Sequence, residues 1–183
     1  DYVLFTQVSA NPRTEEVMHG AEVYRAAGCN VIVAIGGGSP IDCAKAIGIA
    51  VAHDRHILEF EGVDTIRAPI PPLICIPTTA GTSADVSQFV IISDQQEKVK
   101  FSIISKAVVP DVSLIDPETT STMDTFLSAC TGIDAMVHAI EAFVSTGSGP
   151  MTDAHALEAM RLLNGNLVQM IQNPQDIALR EQI

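Results

Sequence analysis

Residues 30–45 read NVIVAIGGGSPIDCAK. In this stretch an apolar β-type run ends in Gly36, Gly37 and Gly38, and the chain then restarts as a helix. A strand that breaks in this way leaves backbone N–H groups pointing at an open space, with the positive end of the helix dipole behind them. The stretch therefore predicts a strand, a phosphate-binding bend and a helix.

The predicted helix start agrees with this interpretation. Ser39 suits the N-cap, Pro40 suits the first helical position, and Asp42 completes a capping-box spacing. The alternative is that the glycines serve only a tight turn, although three in a row exceed what such a turn usually needs. The spacing is neither the GxGxxG dinucleotide fingerprint nor a Walker loop, which ends in GK[ST].

Composition narrows the class of protein. A hydrophobic content of 47% excludes disorder, and no continuous apolar run approaches the roughly 18 residues that span a bilayer. A formal net charge of −12 argues against nucleic acid and anionic membrane as partners, because an acidic surface repels both. The four cysteines are scattered without a CxxC pair, which predicts reduced, mostly buried thiols and a cytoplasmic protein: Cys29, Cys43, Cys75 and Cys130.

The order of predicted elements indicates an α/β domain. Strands are expected at residues 2–8 and 31–35, with a helix capped by Thr14 between them and a second helix over 40–52. Strand, helix, strand and helix in succession predict a parallel sheet. Residues 53–72 are polar and rich in proline, which is typical of a surface connection.

The second half of this domain and its end can also be predicted. A buried strand at 73–76 leads into the loop PTTAGTSAD, residues 77–85, which should lie with the glycine bend at the carboxyl edge of the sheet. Residues 87–93 and 99–104 read as a β-hairpin, and 112–115 as the last strand. After residue 117 Met, Leu and Ala recur at helical spacing, so a domain boundary is expected there.

A second constellation lies in TGIDAMVHAIEAF, residues 131–143. Asp134 and His138 are four residues apart on a predicted helix, which places both side chains on one face. The surrounding residues are apolar, so this face is expected to be packed, and a divalent metal is one reason for a carboxylate and an imidazole there. The alternative is an intrahelical hydrogen bond. The other histidines, His19, His53, His56 and His155, are predicted to be surface residues.

Four ordered motifs resemble those of the iron-containing (group III, metal-dependent) alcohol dehydrogenases: GGGSPIDCAK, IPTTAGTSAD, the VKF segment of the hairpin, and TGIDAMVHAIEAFVS. The resemblance implies the fold that this family shares with the dehydroquinate synthases. That fold has an α/β nucleotide-binding domain, here 1–117, followed by an all-α metal-binding domain that begins at 118–183, with the active site in the cleft between them. Family members commonly have GTGSE where this chain has GTSAD, residues 81–85.

The resemblance also implies roles for individual residues. Gly37, Gly38 and Ser39 would hold the pyrophosphate of NAD or NADP, and Asp42 would order the loop and also contact the cofactor. The remaining cofactor contacts implied are Asn11, Thr78, Thr79, Thr82, Ser87 and Lys100. Asp134 and His138 match the first two ligands of a metal, Fe²⁺ or alternatively Zn²⁺, through which catalysis would run. No general base is identified.

The function implied is reversible oxidation of a primary alcohol or diol to an aldehyde by hydride transfer to the nicotinamide. The resemblance further implies a cytoplasmic homo-oligomer with a small-molecule substrate. Against the family pattern the chain lacks a first strand and helix and most of the helical domain, which identifies it as an internal fragment. The alternatives are a zinc enzyme like dehydroquinate synthase or glycerol dehydrogenase, and a non-catalytic NAD-binding module.

Overall fold

The computed structural model describes all residues, 1–183. It contains six strands: β1 (Ile32–Gly36), β2 (Gly62–Val63), β3 (Leu73–Pro77), β4 (Phe89–Asp94), β5 (Val99–Ile104) and β6 (Val112–Ser113). The α-helices are α1 (Thr14–Ala26), α2 (Gly38–His53), α3 (Thr125–Val144), α4 (Pro150–Gln172) and α5 (Ile177–Glu181). The chain forms two compact units, which are described separately: residues Asp1–Pro77 with Ser83–Ile115, and residues Thr78–Thr82 with Asp116–Ile183.

The first unit is an α/β structure with two small sheets. One sheet has the order β1-β3-β6, and all of its strand pairs are parallel. The other has the order β2-β5-β4, in which β4 and β5 form the antiparallel hairpin and β2 pairs parallel to β5. A parallel sheet, a β-hairpin and then helices are the predicted fold class, which is confirmed.

Helix α2 is the centre of the first unit. Most of its residues are apolar, and all those from Cys43 to Ala50 are buried, as expected of a helix that is covered on every side. Ile41 and Ala44 pack in one core cluster with residues of β1 and β3. Ile47 and Ile49 belong to a second cluster with α1 and the hairpin. The helix that follows the glycine bend is thus held by both sheets.

Several local predictions are wrong in this unit. Residues 2–8 are not a strand: their backbone forms no ladder with β1, and only Phe5 and Val8 pack against the core. A strand assignment from β-branched residues fails when no neighbouring strand pairs with it. Residues 53–72 are not wholly a surface connection either, because Ile57 and Phe60 are buried in the core.

The second unit is helical. Helices α3 and α4 pack together, and the Cβ of an alanine at Gly132 would lie 2.3 Å from Leu167 Cδ1, so the two helices approach closely at this glycine. By length and composition α3 could also cross a membrane. The run is not continuously apolar, because Asp134, His138 and Glu141 interrupt it, and a core helix can pass the same test. The absence of a membrane partner therefore stays a prediction.

Candidate functional site

The glycine bend has the geometry of an open helix N-terminus. Gly36 has φ +151°, and a Cβ added to it would meet Pro40 Cγ at 2.7 Å, so no other residue fits there without strain. Gly37 is the N-cap of α2, with φ −79° and ψ −164°, and no side chain caps the helix. The amides of the first turn therefore have no side-chain acceptor, which leaves them for a ligand.

The predicted capping pattern at this bend is wrong by two residues. The helix begins at Gly38, so Ser39 and Pro40 are its second and third residues, and Asp42 lies beyond the first turn. The Ser39 hydroxyl donates to the carbonyl oxygen of Ala10 at 2.6 Å. The side chain of Ser39, which was expected to cap the helix, therefore binds a residue 29 positions earlier in the chain.

Asp42 binds the hairpin. Its Oδ2 accepts a hydrogen bond from the backbone N–H of Ile91 at 3.1 Å, on the edge of β4 that does not pair with β5. Burial raises the pKa of the Asp42 carboxyl to about 6, against the opposing effects of the Ile91 hydrogen bond and the nearby Lys45 ammonium. Asp42 therefore satisfies an otherwise unpaired amide of an edge strand, and its contact with a cofactor stays a prediction.

Two other predicted cofactor residues meet in the first unit. Lys100 Nζ on β5 donates to Asn11 Oδ1 at 2.6 Å. The turn that carries Asn11 is the one that Ser39 contacts through Ala10. The structure thus connects the glycine bend, the first turn and the hairpin. Ser87, just before β4, is bound by Lys45, a residue for which sequence reasoning predicted no role.

The second predicted loop packs on α3. Thr78, Thr79 and Thr82 belong to the helical unit. At Gly81 in the same loop, a Cβ would lie 2.7 Å from the carbonyl oxygen of Thr131 and 3.1 Å from its Cα, so the loop backbone lies directly against α3. The first two threonines are half-buried and Thr82 is exposed.

The last residue of the GTSAD segment, Asp85, is bonded to the sheet of the first unit. Asp85 is buried, and its Oδ2 accepts a hydrogen bond from the Ser113 hydroxyl on β6 at 2.5 Å. This carboxylate therefore connects the loop after β3 to the sheet. The bond is internal to the first unit.

Asp134 and His138 lie one turn apart on α3, with His138 Nε2 at 3.8 Å from Asp134 Oδ1. This distance is too long for a hydrogen bond, so the two side chains do not form the intrahelical hydrogen bond that was the alternative prediction. The side chains are 45% and 52% exposed, respectively. The expectation of a packed face is wrong, because Ile133, Val137 and Ile140 are also exposed. No group of three or more potential metal ligands occurs, so the pair supplies two donors with open space around them.

His19, His56 and His155 are exposed, as predicted, whereas His53 and Cys130 differ from the predictions. His53 is half-buried, donates through Nδ1 to the Ile49 carbonyl at 2.9 Å, and accepts through Nε2 from the Arg67 and Ala68 amides. His56 is exposed but caps a short 3₁₀ turn. All four cysteines are free, yet Cys130 is exposed.

A family model described as iron-containing alcohol dehydrogenase matches residues 1–117. A second model, described as the C-terminal part of the Fe-containing alcohol dehydrogenase family, matches residues 128–183. The chain belongs to the iron-containing alcohol dehydrogenase family. The resemblance inferred from the four motifs is therefore confirmed.

Named members of the family are similar to nearly the whole chain. A 1,3-propanediol dehydrogenase from Citrobacter freundii is 40% identical over 181 residues, which is 99% of this chain and 47% of that enzyme. An NAD-dependent methanol dehydrogenase from Bacillus methanolicus is 38% identical, over 99% of this chain and 48% of that enzyme. The chain spans about half the length of these relatives.

Solved structures give the same result. A 1,3-propanediol oxidoreductase matches with a TM-score of 0.97 and 39% identity, over 98% of this chain and 47% of that one. A sulfoacetaldehyde reductase from Bifidobacterium kashiwanohense, solved in complex with NAD⁺, matches with a TM-score of 0.92 and 33% identity, over 99% of this chain and 48% of that one. These relatives are dehydrogenases and reductases. They lend no support to the alternatives of a dehydroquinate synthase-like enzyme and of a non-catalytic NAD-binding module.

Proposed function

We propose that this chain carries the dinucleotide site and two metal ligands of an NAD-dependent, iron-dependent alcohol dehydrogenase. The reaction proposed is reversible oxidation of a primary alcohol or diol to an aldehyde. The observation that carries the proposal is the uncapped start of α2 at Gly37 and Gly38, in a chain that belongs to this family. The similar NAD-dependent methanol dehydrogenase and the NAD⁺-bound reductase support NAD as the cofactor.

The residues fit the pyrophosphate of a dinucleotide. Gly36 permits the bend, and the open amides of Gly38 and Ser39 would bind the pyrophosphate beside Gly37. Asp42 orders the helix against the hairpin. The other contacts proposed are Asn11, Thr78, Thr79, Thr82, Ser87 and Lys100.

Asp134 and His138 fit as two ligands of Fe²⁺. The two side chains lie one helical turn apart, which is a spacing at which a helix can present two ligands to one metal ion. They are not hydrogen-bonded to each other, so both donor atoms are available. A carboxylate oxygen and an imidazole nitrogen are accepted by iron and by zinc alike. The family description supports iron. The pair leaves further coordination positions for other donors and for substrate.

The chemistry divides between the cofactors and the protein. When bound, the nicotinamide supplies a hydride acceptor and the metal supplies the Lewis acidity that favours the deprotonated alcohol. The residues of this chain bind and orient these groups. The glycine bend would fix the position of the dinucleotide, and α3 would hold the two metal ligands in one orientation through its packing on α4.

The metal assignment is tested by Asp134→Ala and His138→Ala, each compared with His155→Ala, an exposed histidine of the same helical unit. Iron content and NADH formation with 1,3-propanediol or methanol are measured on the complete enzyme. Both site variants are expected to lose iron and activity, whereas His155→Ala keeps both. Unchanged iron content and turnover in the site variants would overturn the assignment.

We also propose a small-molecule alcohol or aldehyde as the substrate, a homo-oligomer and a cytoplasmic location. The named dehydrogenase relatives support the first of these. Oligomeric state is tested by analytical ultracentrifugation, in which a single monomeric species at micromolar concentration would contradict the proposal.

A further inference from the structure

Lys45 is a fully buried charge in the helix that buries the most residues. It lies in the middle of α2, has 0% exposure, and is surrounded along the helix by buried Ala, Ile and Cys residues. An ammonium group in such a place is unfavourable unless hydrogen-bond acceptors replace its water. A methionine would fill the same space without this cost, so the charge requires an explanation.

All three N–H donors of Lys45 have acceptors. Its Nζ donates to the Ser87 carbonyl oxygen at 2.8 Å, to the Phe89 carbonyl oxygen at 3.1 Å and to the Ser87 hydroxyl oxygen at 3.2 Å. An ammonium carries three donors and no acceptor. The side chain is therefore saturated and shielded, so it has no N–H for the phosphate of a ligand.

The Ser87 hydroxyl is itself engaged as an acceptor, which leaves only its hydrogen for a further bond. Its oxygen accepts from Lys45 Nζ and also from the Phe89 N–H at 3.4 Å. A hydroxyl has two lone pairs and one hydrogen. With both lone pairs occupied, the half-buried Ser87 side chain can act toward a ligand only as a hydrogen-bond donor.

The same helix fixes the rest of the hairpin edge. Asp42, one turn before Lys45, accepts from the Ile91 amide, so two side chains of α2 bind backbone groups on the edge of β4 that faces away from β5. Because α2 also begins at the glycine bend, Ser87 is fixed relative to that bend. The arrangement connects two parts of the proposed dinucleotide site through one buried cation.

We propose that Lys45 is a positioning residue, which orients Ser87 so that its hydroxyl donates a hydrogen bond to an acceptor atom of the bound dinucleotide. The inference rests on the proposed function, in which Ser87 contacts the cofactor. Lys45 itself does not touch the ligand. Its effect on binding acts through Ser87 alone.

A double-mutant cycle on NAD binding tests this inference. The dissociation constant is measured by titration calorimetry for the wild type, Lys45→Met, Ser87→Ala and the double variant, with the exposed Lys106→Met as control. Loss of one neutral hydrogen bond is expected to raise the dissociation constant about fivefold in each single variant. The double variant is expected to bind no more weakly than either single variant, since both remove the same bond.

Other outcomes overturn the inference. If Lys45→Met leaves the dissociation constant unchanged, or if the two effects multiply in the double variant, Lys45 does not act through Ser87. A lysine that only stabilises the fold would lower the thermal midpoint without this non-additive loss of affinity. If the wild type does not bind NAD, the proposed function itself fails, and the inference fails with it.

A measurement on the wild type covers the case in which Lys45→Met does not fold. A buried ammonium with three acceptors should give a slowly exchanging ¹H–¹⁵N signal in protein labelled with ¹⁵N-lysine. Addition of NAD should shift this signal in the wild type and in Ser87→Thr, which keeps the hydroxyl, but not in Ser87→Ala. A signal that does not respond to NAD in the wild type would overturn the inference.

Discussion

The carboxyl group of Asp42 is part of the predicted capping motif of α2, but its role in the structure is to bind the hairpin. The capping-box spacing predicted that this side chain would serve the start of α2, whereas it binds the edge of β4 instead. Burial raises its pKa from 3.8 to about 6, so the folded protein binds a proton there more tightly than the unfolded chain does. Stability must therefore depend on pH in this range.

We expect the free energy of unfolding to fall as the pH rises between 3.8 and about 6, because ionised Asp42 is less favourable in the folded state. The loss should be about 2 to 3 kcal/mol, as the size of the shift implies. In Asp42→Asn, which keeps an acceptor for the Ile91 amide, this dependence should disappear. Urea unfolding at several pH values measures it, with the exposed Glu61→Gln as control.

Gly36 should be the least replaceable glycine of the bend. Gly36→Ala places a Cβ at 2.7 Å from Pro40 Cγ in a backbone conformation with φ +151°, so we expect a loss of about 2 kcal/mol or more and weaker NAD binding. The matched control is Gly165→Ala in α4, where a Cβ meets nothing within 4 Å. That variant should gain about 0.5 to 1 kcal/mol. Equal midpoints of thermal unfolding for the two variants would contradict this account.

Among the elements, those that depend on local sequence could be predicted and those that depend on distant partners could not. The apolar run before the glycines forms β1, and the hairpin forms around residues 95–98 because the flanking strands pair with each other. The expected strand at residues 2–8 fails because it has no pairing partner. Helix α2 begins two residues earlier than predicted, and Ser39 bonds to Ala10 instead of capping the helix.

The candidate site follows the same rule. Asn11 and Lys100 were both expected as cofactor contacts, but only the structure shows that they are hydrogen-bonded to each other across 89 positions. Lys45 was missed, although a single lysine inside an otherwise apolar helical run is a signal that sequence contains. The role of Lys45 could not be predicted, because its partners Ser87 and Phe89 lie more than 40 positions away in the sequence.

The loop of Thr78, Thr79 and Thr82 should be sensitive to bulk at Gly81. In Gly81→Ala the added Cβ meets the backbone of Thr131, three residues before Asp134, so the loop or α3 must move. We expect a loss of about 1 to 3 kcal/mol in unfolding free energy, as for other overpacked sites. Iron retention should also fall because Asp134 follows on the same helix.

Gly147→Ala is the control for this variant, since its Cβ meets only Ser145 Oγ at 3.7 Å. Iron per protein after gel filtration and urea unfolding are compared for the two variants and the wild type. If Gly81→Ala retains as much iron and stability as Gly147→Ala, the loop does not constrain α3.

At the scale of the whole molecule, the buried apolar residues are unevenly divided between the two units. Both core clusters lie in the α/β unit, where α2 is covered on every side. In the helical unit α3 buries only Ser128, Gly132 and Ala139 of its 20 residues. Local stability follows the density of buried apolar contacts, so the two units should not open with equal ease.

Hydrogen exchange followed by mass spectrometry can test this difference on the 183-residue chain. Amides of β1, α2 and β3 should exchange slowest, because these elements carry buried residues of the two clusters. Peptides from α3 should exchange at least tenfold faster than peptides from α2, since a difference of about 1.4 kcal/mol in opening free energy gives that factor. Gly132→Ala, which forces a Cβ against Leu167, should accelerate exchange in α3 and α4 and leave α2 unchanged. Equal protection of α2 and α3 in the wild type would mean that the exposed apolar face of α3 does not weaken this helix. The helical unit would then need a source of stability other than the contact between α3 and α4.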